Sequence, residues 1–113
     1  HSNHPNELNQ AVADTCSKLK DVGCYLLNQS VLLRGVNDNP HVLARLSRRL
    51  YECGVIPYYL HLLDKTQGTK HFEVLIEEAS LIYKELQAML PGYLVPRLAR
   101  EEPGAKSKTL CGH

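Results

Sequence analysis

The sequence predicts an α/β fold built from repeated βα units whose strands run parallel. Three observations predict it. Apolar runs of strand character alternate with stretches of helical periodicity, in the order helix, strand, helix, strand, helix, strand, with a residual strand ahead of the first helix. Glycines stand where each helix should close, at Gly23, Gly54 and Gly92, 31 and 38 residues apart, a spacing that suits a strand plus its crossover helix. The third is the run Asn28-Gln29-Ser30-Val31-Leu32-Leu33-Arg34-Gly35-Val36-Asn37-Asp38, a strand that runs out into a polar turn. Three such units form part of a barrel or an open sheet. Closing a barrel takes about 250 residues, and this chain has 113.

The first helix is expected from about Pro5 or Asn6, the latter a fair N-cap, to Val22, with Leu8, Ala11, Val12, Cys16, Leu19 and Val22 as its apolar stripe. A strand follows from Cys24 to Leu33. Its apolar run is broken by Asn28, Gln29 and Ser30, although a strand buried on both faces should be continuously apolar. Buried amides and hydroxyls need partners. The triplet therefore either pairs with backbone or lines a polar cavity.

Asn39 before Pro40 marks the start of the second helix, which runs to Cys53 with Val42, Leu43, Leu46, Leu50 and Cys53 inward. Arg45, Arg48 and Arg49 form its solvated face. The second strand is Ile56 to Leu63, with Pro57 suited to a first position. A polar loop, 64–71, leads to a third helix from Phe72 to Leu90, striped by Leu75, Ala79, Ile82, Leu86 and Met89 or Leu90. Pro91-Gly92 stops it. Tyr93 to Leu98 is a short third strand, and Pro96 places it at an edge or a strand end. Residues 1–99 thus form the βα units, and 100–113 a polar loop or tail.

Composition bounds the partners. Apolar content of 43% supports one core, and a net charge of +1 leaves no footprint for nucleic acid. No run of about 18 apolar residues offers a membrane span. The start, His1 to Glu7, has no signal-peptide character and no Met, so the chain is expected to be a piece of a larger protein. Cys16, Cys24, Cys53 and Cys111 form no close pair and are expected as free thiols in a reducing, cytoplasmic setting.

In parallel α/β folds functional groups gather at the C-terminal ends of the strands. That rim would carry His1, Asn3 and His4, then Gln29, Ser30, Arg34, Asn37 and Asp38, then His61 and Asp64, then Arg100, Glu101, Lys106 and Lys108. Each has a plainer reading. Arg34 and Asp38 could pair with each other, Asp64 could cap a turn, Lys106 and Lys108 could be solvated, and His1 and His4 could be exposed or tied to backbone. Taken alone, the residues describe either part of an α/β enzyme or a binding or structural module.

Asn3-His4-Pro5-Asn6-Glu7, the run from Asn28 to Asp38 and Pro57-Tyr58-Tyr59 resemble the C-terminal half of the lysine 2,3-aminomutase family. These are radical S-adenosylmethionine (SAM) enzymes that also use pyridoxal phosphate (PLP). The resemblance covers nearly the whole chain and implies the C-terminal part of an incomplete radical SAM, TIM-like barrel. Leu60-His61-Leu62-Leu63-Asp64-Lys65, Leu94-Val95-Pro96 and Leu98-Ala99-Arg100-Glu101 look most like the branch that makes (R)-β-lysine from L-lysine for modification of elongation factor P. Catabolic enzymes carry a longer extension and a Pro-Gly-Gly-Gly-Gly-Lys motif, where this chain has Pro103-Gly104-Ala105-Lys106-Ser107-Lys108. A catabolic lysine or glutamate aminomutase is the alternative within the family.

The resemblance also implies roles. Lys108 falls on the lysine that anchors PLP, with Lys106 as the runner-up. Asp64 and Glu101 fall on carboxylates that hold the ammonium of the L-lysine substrate. Gln29 and His1 fall on SAM contacts, and His61 replaces a Tyr of the catabolic enzymes. The CxxxCxxC ligands of the [4Fe-4S] cluster belong upstream, and the four cysteines here lack that spacing. The chain alone is therefore expected to be inactive, and marginal, self-associating or rearranged, because an incomplete barrel leaves edges and an inner face uncovered.

Overall fold

The computed structural model describes residues 1–23, 25–63, 73–100 and 109–111. Helices α1 (Gln10–Asp21), α2 (Pro40–Glu52) and α3 (Ile76–Met89) alternate with strands β1 (Leu26–Leu32), β2 (Val55–Leu62) and β3 (Arg97–Arg100). A last strand, β4 (Thr109–Cys111), closes the described chain. The sheet order is β1-β2-β3-β4. The first three strands run parallel, as expected, but β4 pairs antiparallel with β3. Part of the expected polar tail is thus a strand: Leu98 faces Cys111 and Arg100 faces Thr109.

The chain starts helix α1 later than expected. Pro5–Glu7 is a separate 3-10 turn, capped by His4, whose Nδ1 accepts from the Asn6 N–H at 3.1 Å. The Glu7 carboxylate accepts from the backbone N–H groups of Asn3 and His4. Asn9, not Asn6, caps α1, its Oδ1 accepting from Val12 N–H at 3.0 Å. Only the first half of the expected stripe is covered. Leu8 is buried with Leu46, Leu50, Cys53 and Val55, and Val12 and Cys16 lean on them. Leu19 and Val22 stay exposed, because the last turns of α1 run past that cluster.

Helix α2 follows its local signals closely. Asn39 Oδ1 accepts from His41 N–H at 2.8 Å, Pro40 takes the first turn, and Leu43, Ala44, Leu46, Ser47 and Leu50 are buried. Its arginines are less idle than a solvated face suggests. Arg49 Nε donates to Leu8 O at 3.0 Å and Arg48 Nη2 to Met89 O at 3.3 Å. These bonds tie α2 to the segments before α1 and at the end of α3. Gly54 ends the helix at φ +80°.

Pro57 is the third residue of β2, not the first. It has no N–H to give a ladder, and the register shows how the strand absorbs it. Asn28 faces Pro57 and Gln29 faces Tyr59, so Tyr58 is an extra residue in a bulge. Strand β3 joins β2 only from Tyr59 onward.

Helix α3 begins at Ile76 and buries Ala79, Tyr83 and Leu86, with Ile82 and Met89 beside them and Leu90 just past its end. Leu75, expected in the stripe, is half exposed at the N-cap. Gly92 opens a second 3-10 turn, Gly92–Leu94, and does not have the left-handed φ of a helix-closing glycine. This turn displaces β3 to Arg97–Arg100. Tyr83 OH donates to Pro96 O at 2.7 Å and pins the approach to β3.

Helices α2 and α3 cover one face of the sheet. Leu32, Leu60, Leu62 and Leu98 meet Leu43, Ala44, Ala79, Tyr83, Leu86, Leu90 and Leu94 there. Full burial of each leucine contributes about 1.5–3 kcal/mol. Successive side chains alternate between faces and paired residues share one. The opposite face therefore carries three rows: Leu27 beside Ile56, Gln29 beside Tyr59 and Arg97, and Val31 beside His61 and Ala99.

Candidate functional site

The polar triplet splits between the two faces. Asn28 and Ser30 are buried, 4% and 5% exposed, and both bind the N-terminal segment. Asn28 Oδ1 accepts from Ser2 N–H at 2.8 Å. Asn28 Nδ2 donates to Ser2 O at 3.1 Å and to Ser30 Oγ at 2.8 Å, and Ser30 Oγ donates to Ser2 O at 2.8 Å. These two residues have a structural role, the first of the two readings open to the triplet.

Asn37 completes the clamp at the C-terminal end of β1. Its Oδ1 accepts from Leu33 N–H at 2.7 Å, and its Nδ2 donates to Asn3 O at 2.7 Å and Val31 O at 2.9 Å. Val31 N–H donates to Asn3 Oδ1 at 2.9 Å. Both backbone groups of Val31 are thus taken by asparagine side chains, which blunts the β1 edge. The clamp lays Ser2 and Asn3 along β1, and it brings exposed His1 to the strand that carries Gln29.

Gln29 projects to the face opposite the helices. Its Oε1 lies 3.0 Å from His61 Nε2. The His61 ring is 5.5 Å from that of Tyr59, whose edge meets Tyr58 at 4.4 Å. The hydrogen bond with Tyr58 raises the Tyr59 phenol above its ordinary range; burial adds to this and Arg97 opposes it. Leu27 and Ile56, both exposed, form the apolar row beside this polar one. The face offers amide, imidazole and phenol groups next to flat apolar surface.

Arg34 does not pair with Asp38. Its Nε donates to Glu73 O at 2.8 Å and its Nη2 stands 3.6 Å from Glu78, while Asp38 Oδ1 accepts from Gly35 N–H at 3.0 Å within the turn. With both side chains of the ion pair nearly half exposed, it adds little stability. His4 is tied to backbone as a cap. Asp64, Glu101, Lys106 and Lys108 lie outside the described residues. Among the described residues no three His, Cys, Asp or Glu side chains come together to hold a metal. Cys53 is buried in the second cluster and Cys16 leans on it, and burial pushes the Cys53 thiol up. Tyr59 and Arg97 were not anticipated on this face. The bulge at Tyr58 sets their register, and only Pro57 hinted at it.

The architecture is that of an open α/β unit, three parallel strands with their crossover helices, consistent with part of a TIM-like barrel. No protein-family profile matches the chain. It is 56% identical over 110 residues to an L-lysine 2,3-aminomutase of Haemophilus influenzae, covering 97% of this chain and 32% of that protein. It is 55% identical over 109 residues to the L-lysine 2,3-aminomutase of Escherichia coli, covering 96% and 32%. An L-lysine 2,3-aminomutase of Clostridium subterminale is 40% identical over 109 residues, covering 96% and 26%. The chain spans about a third of the length of the first two relatives. It belongs to the lysine 2,3-aminomutase family.

Proposed function

We propose that this chain forms the substrate- and cofactor-binding C-terminal part of an L-lysine 2,3-aminomutase, an isomerase that moves the α-amino group of lysine to the β-carbon. The observation that supports this most is the 56% identity to a protein so named, running through nearly the whole chain. The favoured branch makes (R)-β-lysine for elongation factor P, in the cytoplasm, as a subunit that can self-associate.

The cofactors are SAM, PLP and a [4Fe-4S] cluster whose ligands lie outside this chain. Gln29, on the sheet face opposite the helices, offers hydrogen bonds to polar groups of SAM. His1, brought alongside β1 by the Ser2–Asn28 contacts, is the second SAM contact. Lys108, or Lys106 in its place, anchors PLP with a primary amine. When bound, SAM with its cluster would supply the radical initiator and PLP a conjugated system that stabilises radical character during the amino shift. Asp64 and Glu101 hold the ammonium group of the substrate, two anions against one cation.

The test uses the full-length protein, prepared anaerobically with cluster, SAM and PLP. Chromatographic separation of the derivatised amino acids should find β-lysine formed from L-lysine. Borohydride reduction and peptide mapping should place PLP on Lys108, and Lys108→Ala should abolish that label. Asp64→Asn or Glu101→Gln should raise KM for lysine about tenfold, the equivalent of about 1.4 kcal/mol. A deletion strain should regain β-lysyl elongation factor P when complemented; complementation failing alongside rapid turnover of free lysine would favour the catabolic branch.

A further inference from the structure

We propose that His61 is a positioning residue that sets the orientation of the Gln29 carboxamide on the sheet face opposite the helices. The inference rests on the reading of Gln29 as a SAM contact. Gln29 and His61 sit on neighbouring strands, one row apart on the same face, since Gln29 faces Tyr59 and Val31 faces His61. Diagonal neighbours of this kind are within reach of long side chains. The separation of His61 Nε2 from Gln29 Oε1 is 3.0 Å.

An amide oxygen can only accept, so Nε2 carries the hydrogen in this pair. The bond decides which end of the amide is turned toward the ring. The NH2 group, with its two donors, is thereby turned away from His61. The last torsion of a glutamine is broad and roughly two-fold, so the bond to the imidazole favours one sense over the other. Donors held in one direction cost less to order when a ligand binds. The ring has neighbours of its own: Tyr59 lies beside it, tilted by 35° with ring centroids 5.5 Å apart, and Tyr58 packs edge-on against Tyr59. His61 thus acts through Gln29.

The test measures SAM binding, without turnover, to the intact cluster-bearing protein by equilibrium dialysis with labelled SAM. The set is wild type, Gln29→Ala, His61→Phe, the double variant and His61→Gln, each with its melting temperature. Gln29→Ala should weaken binding about tenfold and His61→Phe about fivefold, in line with one hydrogen bond of about 1 kcal/mol. The double variant should be no weaker than Gln29→Ala alone. His61→Gln should rescue binding to within about twofold, because its side-chain amide donates from a similar position. If Gln29→Ala weakens binding and His61→Phe does not, or if the two losses add in full, His61 does not act through Gln29. If Gln29→Ala leaves binding unchanged, the underlying SAM reading fails. Should His61→Phe not fold, His61→Asn takes its place, its amide being too short to reach Gln29: a loss of about fivefold at an unchanged melting temperature supports the proposal, and retained affinity overturns it.

Discussion

Asn28 and Ser2 stand 26 residues apart and are joined twice: Asn28 Oδ1 accepts from the Ser2 N–H at 2.8 Å, and Asn28 Nδ2 donates to the Ser2 carbonyl at 3.1 Å. One carboxamide meets both backbone groups of a residue, as a neighbouring strand would. This contact, with Ser30 and Asn37, fixes the path of the N-terminal segment along β1.

Truncating that amide should be costly. Asn28→Ala leaves the half-buried Ser2 N–H without its partner, and the Ser30 hydroxyl keeps only its bond to the Ser2 carbonyl. The expected loss is about 2–3 kcal/mol. Asn37→Ala, which strips partners from Leu33, Asn3 and Val31, should cost a similar amount. Urea denaturation measures both, and a loss below about 0.5 kcal/mol would show that water replaces these bonds.

Tyr83 links stability to alkaline pH. Burial pushes its phenol above 10.0, against smaller opposing effects of the Leu98 backbone and Arg97. The folded state therefore holds this proton more tightly than the unfolded state. Its contribution is full below pH 10.0, the ordinary value, and is lost as pH rises through the folded value. Tyr83→Phe should cost about 1–2 kcal/mol near neutrality, through the lost bond to Pro96 O. It should also flatten the fall in stability above pH 10.0. Melting temperatures from pH 7 to 11 test this, and parallel curves for the two proteins would refute it.

The cysteines should differ in reactivity. Cys53 is 4% exposed and its thiol is raised, chiefly by burial. Cys16 is only partly buried. A raised pKa lowers the thiolate fraction, and the thiolate is the nucleophile. Iodoacetamide at pH 8 followed by peptide mapping should label Cys16 at least about tenfold faster than Cys53; equal rates would mean that the second cluster opens readily.

The two later glycines of the repeat should not be equivalent. Gly54 sits at φ +80°, and a Cβ there would stand 3.1 Å from Lys20 Cδ. Gly54→Ala should destabilise by about 1–2 kcal/mol from the left-handed backbone alone. Gly92 has an ordinary φ with open space around it, so Gly92→Ala should be neutral within about 0.5 kcal/mol. Chemical denaturation of both variants separates turn strain from spacing.

Local chemistry was legible wherever one stretch of chain decides the outcome. Asn39-Pro40 starts α2 as read, because cap and fixed φ act within four residues. The alternation of βα units likewise foretold three parallel strands. The start of α1 was misplaced because Asn6 and Asn9 are both competent caps. The 3-10 turn held by His4 and Glu7 chooses between them. Leu19 and Val22 carry the right spacing but stay exposed, and periodicity does not reveal how far a neighbour extends.

For the site the division is sharper. The sequence by itself determined the family and the residue types along the rim, since 110 aligned residues carry that likeness without any geometry. Only the tertiary structure decided that Asn28 and Ser30 bind the chain's own N-terminal segment while Gln29 turns to the other face and meets His61. The physical reason is register. Adjacent strand residues point to opposite faces, and the bulge at Tyr58 sets which residue of β2 stands opposite each residue of β1. That pairing is a long-range choice, made when β2 docks on β1 over the core that α2 and α3 provide.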